Sequence, residues 1–167
     1  MYISDTYWDH WIGDTDDSLT LVEYLAGKQK GHISFGELFS EIGLDRLNGD
    51  FRQHEEPLAV AWTQGEQEEM EAEFHYAILV IADLAALLLE CRVSGSVNLN
   101  ELAGQSLETD VPKLSVMATP EEHKLLNEAL KDFVSDPMAY DLSEMESEED
   151  MLELAGVCEA LRKELYG

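Results

Sequence analysis

Apolar residues recur along this chain at intervals of three and four, and no segment alternates apolar and polar positions over six or more residues while being rich in Val, Ile and Thr. The first spacing lines one face of a helix, and the missing one is that of a half-buried strand, so the pattern predicts helices. Asp17 or Ser18 is placed to cap a short helix carrying Leu19, Leu21, Val22 and Leu25, with Gly27 as its end. Ser34-Phe35-Gly36-Glu37 reads as a capping box that opens a helix with Leu38, Phe39 and Ile42 on one face and Gly43 as its stop.

Pro57 suits the first turn of a helix through Leu58, Val60 and Trp62. Thr63-Gln64-Gly65-Glu66 offers a second capping box, from which a helix can run to about Val93, roughly 42 Å at 1.5 Å per residue. Met70 and Phe74 mark the apolar stripe of its acidic first half. Its second half, Ala77 to Leu89, is apolar all round except for Asp83, and such a helix is normally wrapped by others. Ser94-Gly95-Ser96 breaks the chain, Val97 to Ala103 reads as one short helix, and Gly104 to Ala118 as loop.

Thr119-Pro120-Glu121-Glu122 is the clearest start signal: Thr as N-cap, Pro at the first helical position, Glu at the third. The helix it opens carries Leu125, Leu126, Ala129, Leu130, Phe133 and Val134 and ends before Ser135-Asp136-Pro137. A final helix starts near Ser143 or Ser147 and turns Met151, Leu152, Leu154, Ala155, Cys158, Leu161 and Leu165 inward. The expectation is an all-α protein, an irregular helical bundle around a central apolar helix, with residues 1–167 as a single domain.

Composition keeps that core and adds a strong charge. The apolar fraction of 45% is that of a globular protein, which argues against a disordered acidic tail. Thirty-six carboxylates against ten Lys and Arg give a formal charge of -26. The charge is clustered. No Lys or Arg lies before Lys28, between Arg52 and Arg92, or between Lys131 and Arg162. Those stretches hold Glu66, Glu68, Glu69, Glu71 and Glu73, and then Asp141, Glu144, Glu146, Glu148, Glu149, Asp150 and Glu153. Such a surface repels nucleic acid and anionic lipid and attracts basic protein surfaces within a Debye length of about 8 Å. The longest apolar run is too short and too interrupted to span a bilayer, and no secretory leader is recognisable. Cys91 and Cys158 read as two buried free thiols of a cytoplasmic protein.

Candidate chemistry is sparse. None of His10, His32, His54, His75 and His123 has a Glu three positions before it, which excludes the Glu-x-x-His pairs of a di-iron bundle. Glu71 and His75, and Glu121 with His123, fit no zinc spacing. An EF-hand loop from Asp14 would need Gly and Glu where Leu19 and Leu25 stand. There is no GxSxG, P-loop or GxGxxG. The expectation is a protein without enzymatic activity, metal or cofactor. Asp83, inside the most apolar run, reads as a polar network residue paired with another helix, since an unpaired carboxylate there would cost several kcal/mol.

The N-terminal segment carries the chemistry of an interface. Tyr2, Tyr7, Trp8 and Trp11 lie among Asp5, Asp9, Asp14, Asp16 and Asp17. Aromatic side chains anchor interfaces and carboxylates steer a basic partner toward them. Two tryptophans three apart either share a face or divide the roles, one docking the segment on the body and the other meeting the partner. The candidate partner-binding set is therefore Trp8, Asp9, Trp11, Asp14, Asp16 and Asp17, with Glu66, Glu69 and Glu73 on one acidic face and Glu146, Glu149 and Asp150 on another.

In size, acidity and lack of catalytic motifs, the chain resembles the small acidic immunity proteins of bacterial polymorphic-toxin and contact-dependent inhibition systems. The resemblance is to a class and rests on no single motif. It implies a one-to-one complex with a cognate basic toxin domain in the cytoplasm of the producing cell. A nuclease is the natural target, because a protein that grips phosphate must be positively charged. The alternatives are an acidic adaptor, secretion chaperone or nucleic-acid mimic bound to a basic region of another protein, or a halophile's protein or small enzyme with an unrecognised site, whose charge serves solvation.

Overall fold

The computed structural model describes residues 1–8, 11–52, 58–64, 68–107 and 109–167. The chain begins with α1 (Tyr2–Thr6), α2 (Asp16–Gly27), β1 (His32–Ser34) and α3 (Phe35–Ile42), followed by a 3-10 turn, Leu44–Leu47. A hairpin of β2 (Leu58–Gln64) and β3 (Glu68–Phe74) leads into α4 (Ala77–Ser94). Then come β4 (Val97–Asn98), α5 (Leu99–Ala103), β5 (Lys113–Met117) and α6 (Pro120–Ser135). Two 3-10 turns, Pro137–Ala139 and Asp141–Glu144, precede α7 (Glu148–Tyr166).

The protein is thus mixed α and β, and the all-α expectation is wrong. β5 lies between β1, to which it runs parallel, and β4, to which it runs antiparallel. β2 and β3 form a separate antiparallel pair with Leu58 opposite Phe74 and Gln64 opposite Glu68. The strands of the three-stranded sheet have two to five residues, too short to show an alternation over six positions. The expected loop from Gly104 to Ala118 therefore contains β5, and the expected helix from Val97 to Ala103 begins with β4.

The largest correction concerns the long helix expected from Glu66 to Val93. Its first half is β3, in which Glu69, Glu71 and Glu73 are exposed, Met70 and Ala72 half-buried and Phe74 fully buried. Tyr76 is extended, at φ -133° and ψ 114°, and the helix starts only after it. The helix expected through Leu58, Val60 and Trp62 is β2. Pro57, Gly65 and Glu66, on which the starts of both expected helices rested, lie outside the described residues.

The helices of the C-terminal half follow their sequence signals closely. Thr119 and Glu122 make the reciprocal capping box of α6, Ser147 caps α7, and Gly43 and Gly95 end α3 and α4 in the left-handed region. Ser34 caps α3 through the Glu37 N–H. α2 is capped by Thr15, two residues before Asp17 and three before Ser18. Leu152 points outward, while the other expected core positions of α7 are buried.

α4 is the centre of the molecule, buried at every position from Ala77 to Glu90. α1 and α2 pack on it from the start of the chain, α6 and α7 from the end, and β4 and β5 close the remaining side. Its two buried acids are both hydrogen-bonded. Glu90 accepts from the Ile3 N–H at 3.0 Å and from the Ser94 hydroxyl. Asp83 is hydrogen-bonded to the Ser18 hydroxyl at 2.7 Å and accepts from the Gly13 N–H at 3.1 Å, the pairing with another helix that its place in an apolar run demanded. Cys158 is buried, but Cys91 is only half-buried, its sulfur facing the Val116 N–H at 3.4 Å. Among the described residues no helix is long and apolar enough to cross a membrane.

Candidate functional site

Trp8 and Ile12 form an isolated bridge, and Gly13 follows at φ +91°. The Trp8 indole lies flat on Gly13: a Cβ built there would fall 2.2 Å from the ring, so the turn needs glycine for both its conformation and its space. Trp8 is 8% exposed and its Nε1 donates to the Leu102 carbonyl at 3.2 Å. Of the two tryptophans, Trp8 is the one that docks the segment.

Trp11 is half-buried and lines a cleft of about 470 Å³. The cleft takes Asp14, Asp16 and Asp17 from the turn and the start of α2, His75, Tyr76 and Leu79 from the start of α4, and Leu142, Met145 and Glu146 from the approach to α7. Met145, 70% exposed, places a large apolar side chain beside the acids. Among the described residues no Lys or Arg lines the cleft. The Tyr76 hydroxyl registers the local charge: burial raises its pKa most, and Asp17, Glu144, Glu146 and Asp141 push it further up. Asp14, Thr15 and Asp16 also line a second cleft, of about 590 Å³, on the side of Trp8, Leu19 and Glu101. The two exposed aspartates are therefore a ridge between two concave surfaces.

Asp17 has a different task. It is 2% exposed and accepts from the His75 N–H at 2.7 Å and the Tyr76 N–H at 2.9 Å. Tyr76, the N-cap of α4, has no side-chain cap of its own, so α2 supplies one. Asp17→Ala should cost about 1–3 kcal/mol in chemical denaturation, because two partly buried N–H groups lose a charged acceptor at a helix N-terminus.

The remaining candidates are dispersed. Glu69 and Glu73 stand on the exposed face of β3 with Glu71 between them, a row that ends two residues before His75 at the cleft. Glu149 and Asp150 lie in the first turn of α7, where carboxylates favour the positive end of the helix dipole, and neither lines the cleft. Asp9 and Glu66 lie outside the described residues. The structure thus brings Trp11, Asp14, Asp16, Asp17 and Glu146 together, from opposite ends of the chain, and leaves Glu69, Glu73, Glu149 and Asp150 apart from them. Met145, Tyr76 and Glu71 are absent from the partner-binding set that the sequence suggests. A single Met in an acidic stretch carries no periodic signal, and Glu71 joins its neighbours only because β3 has a period of two.

Among the described residues no group of three or more His, Cys, Asp or Glu side chains is arranged to hold a metal ion. What the site offers is apolar surface ringed by carboxylates, the composition of a protein-binding surface. No curated protein and no solved structure matches the chain. The family model of Immunity protein 68 matches residues 2–165, from the first residue of α1 to the last turn of α7. The chain belongs to the Immunity protein 68 family, whose members protect against a toxin as inhibitors rather than as enzymes.

Proposed function

We propose that this immunity protein neutralises a basic toxin domain, a nuclease, by covering its phosphate-binding surface in a one-to-one complex in the cytoplasm. The observation that carries the proposal is the Trp11 cleft, with Trp11 and Met145 as apolar contacts, Asp14, Asp16 and Glu146 around them and no Lys or Arg among the described lining residues. A nuclease holds its substrate with Lys and Arg, and the same side chains suit this rim: their stems lie on apolar surface and their charges meet carboxylates. The acidic row of β3 and the first turn of α7 extend the attraction beyond the cleft and act on approach.

The test is to express the C-terminal domain of the toxin encoded beside this gene, with and without the immunity protein. Arrested growth, nucleic-acid cleavage by the isolated domain and suppression of both at a molar ratio of one support the proposal. A toxin domain of net negative charge, or one whose cleavage continues in the complex, overturns it. Capture of many unrelated basic proteins at similar affinity would instead identify an acidic adaptor.

Association should also be fast and salt-sensitive. Raising the salt, or replacing Asp14, Asp16 and Glu146 by their amides, should slow association more than it speeds dissociation, as stopped-flow mixing would show. An association rate that is the same at low and high salt removes the electrostatic basis.

A further inference from the structure

Asp83 is a buried acid of α4 that reaches the turn carrying the candidate interface. Its carboxyl group is wholly buried in α4, and both oxygens are used within that turn and the helix it opens. Oδ1 accepts from the Gly13 N–H, which is shared with Ser18 Oγ at the same distance of 3.1 Å. Oδ2 lies 2.7 Å from Ser18 Oγ, which in turn lies 2.9 Å from Thr15 Oγ1. Thr15 Oγ1 caps α2 by accepting the Ser18 N–H. Gly13, Thr15 and Ser18 flank or interleave with Trp11, Asp14 and Asp16, so the backbone of the interface turn is fastened from inside at this one carboxyl group.

Among the described residues no cation compensates it, and the titratable groups that bear on it are Asp17 from α2 and Cys158 from α7, an acid and a thiol. A charge so placed has lost its hydration and gained a like-charged neighbour. We propose that Asp83 is the positioning residue of the 11–16 turn and stands in the core as a neutral carboxylic acid, its proton setting the direction of the hydroxyl chain Asp83–Ser18–Thr15.

In the neutral state Asp83 donates to Ser18 Oγ, the Ser18 hydroxyl donates to Thr15 Oγ1, and the Gly13 N–H is held by Asp83 Oδ1. When the proton leaves to solvent, both hydroxyls reverse: Thr15 donates to Ser18, Ser18 donates to the carboxylate, and the Gly13 N–H faces a full negative charge. The heavy atoms need not move for this to happen. Burial, the larger influence, together with Asp17 outweighs the Ser18 and Gly13 hydrogen bonds and pushes the Asp83 carboxyl up to about 8, so both states lie within reach of ordinary buffers. That the turn is the toxin-binding surface rests on the function proposed above, but the proton on Asp83 does not.

The experiment is a pH titration of the free, isotope-labelled full chain from pH 5 to 10, with Asp83→Asn and Ser18→Ala as companions. The Asp83 side-chain carbon, the Gly13 amide and the Trp11 indole N–H should move together with one midpoint near 8. In Asp83→Asn, which retains an acceptor for Gly13 and a donor for Ser18, the Gly13 and Trp11 shifts should disappear. In Ser18→Ala, which loses a hydrogen bond favouring the anion, the midpoint should rise. An Asp83 carbon that titrates in the ordinary carboxylate range overturns the proposal. So does a Gly13 amide that is silent between pH 5 and 10, or one that still titrates in Asp83→Asn. A failed toxin-protection assay with this titration intact would refute the proposed function alone.

Discussion

Trp8→Ala is expected to cost about 3–5 kcal/mol of folding stability, while Trp11→Ala leaves the melting temperature nearly unchanged and weakens toxin binding by about 2 kcal/mol or more, roughly thirtyfold. The difference follows from where the two rings lie. Trp8 is 8% exposed, supports the left-handed Gly13 and is tied to Leu102, so its loss leaves a cavity beneath the turn. Trp11 forms part of an open cleft beside an exposed Met145, where the proposed partner would complete its burial. Thermal melts and titration calorimetry of the two variants separate the roles. Should Trp11→Ala fold and bind as the parent does, the cleft is not the interface. Trp8→Ala binding weakly while melting normally would mean that the two roles had been assigned in reverse.

Folding stability should fall as pH rises from about 5 to about 8, by about 1.4 kcal/mol per pH unit from Asp83 alone. The unfolded chain releases the Asp83 proton near 3.8, whereas the folded chain keeps it up to about 8. Between those values the native state binds the extra proton, so each step up in pH favours unfolding, and above about 8 the contribution is flat. The other carboxylates also repel one another more as they ionise, so the Asp83→Asn protein is the proper reference. Relative to that variant, the parent should lose several kcal/mol between pH 5 and 8 in denaturant melts. Two curves that run parallel would show Asp83 charged throughout.

The architecture was legible where local chemistry dictates a unique backbone. A Thr-Pro-Glu-Glu start admits little but a helix, and Gly43 and Gly95 sit where α3 and α4 stop. The hairpin was not legible, for a reason visible in Met70 and Phe74. Residues four apart share a face in a helix and also in a strand, so this pair satisfies both periods. Ala72 distinguishes them: it turns to the far side of a helix but stays with Met70 and Phe74 in a strand, and it is half-buried with them. The glutamates between them are good helix formers and masked that difference. The same ambiguity concealed the acidic row, since Glu69 and Glu73 are common to both readings and only the strand adds Glu71.

The site was half legible. Tryptophans among aspartates drew notice as composition does, but not which tryptophan faces outward, because that depends on Gly13 and on contacts with α5. Asp17 reads from the sequence as a cap for its own helix and as one of the partner-binding acids. Its use as a cap for a helix that begins some sixty residues later is a tertiary fact that no local pattern contains.

The wrapping of α4 from both ends of the chain has a consequence for when protection begins. α6 and α7 leave the ribosome seconds after α4 at about 5–20 residues per second, and in that interval a nearly continuous apolar helix lacks half its cover. The nascent chain is then most exposed to aggregation and chaperone capture. An unfinished copy, though it already contains Trp11 and the aspartates, lacks Met145 and Glu146 to complete the cleft. Immunity on this account is a property of finished chains held in stock, and slow codons between α4 and α7 would lengthen the time for which a cell making fresh protein is undefended.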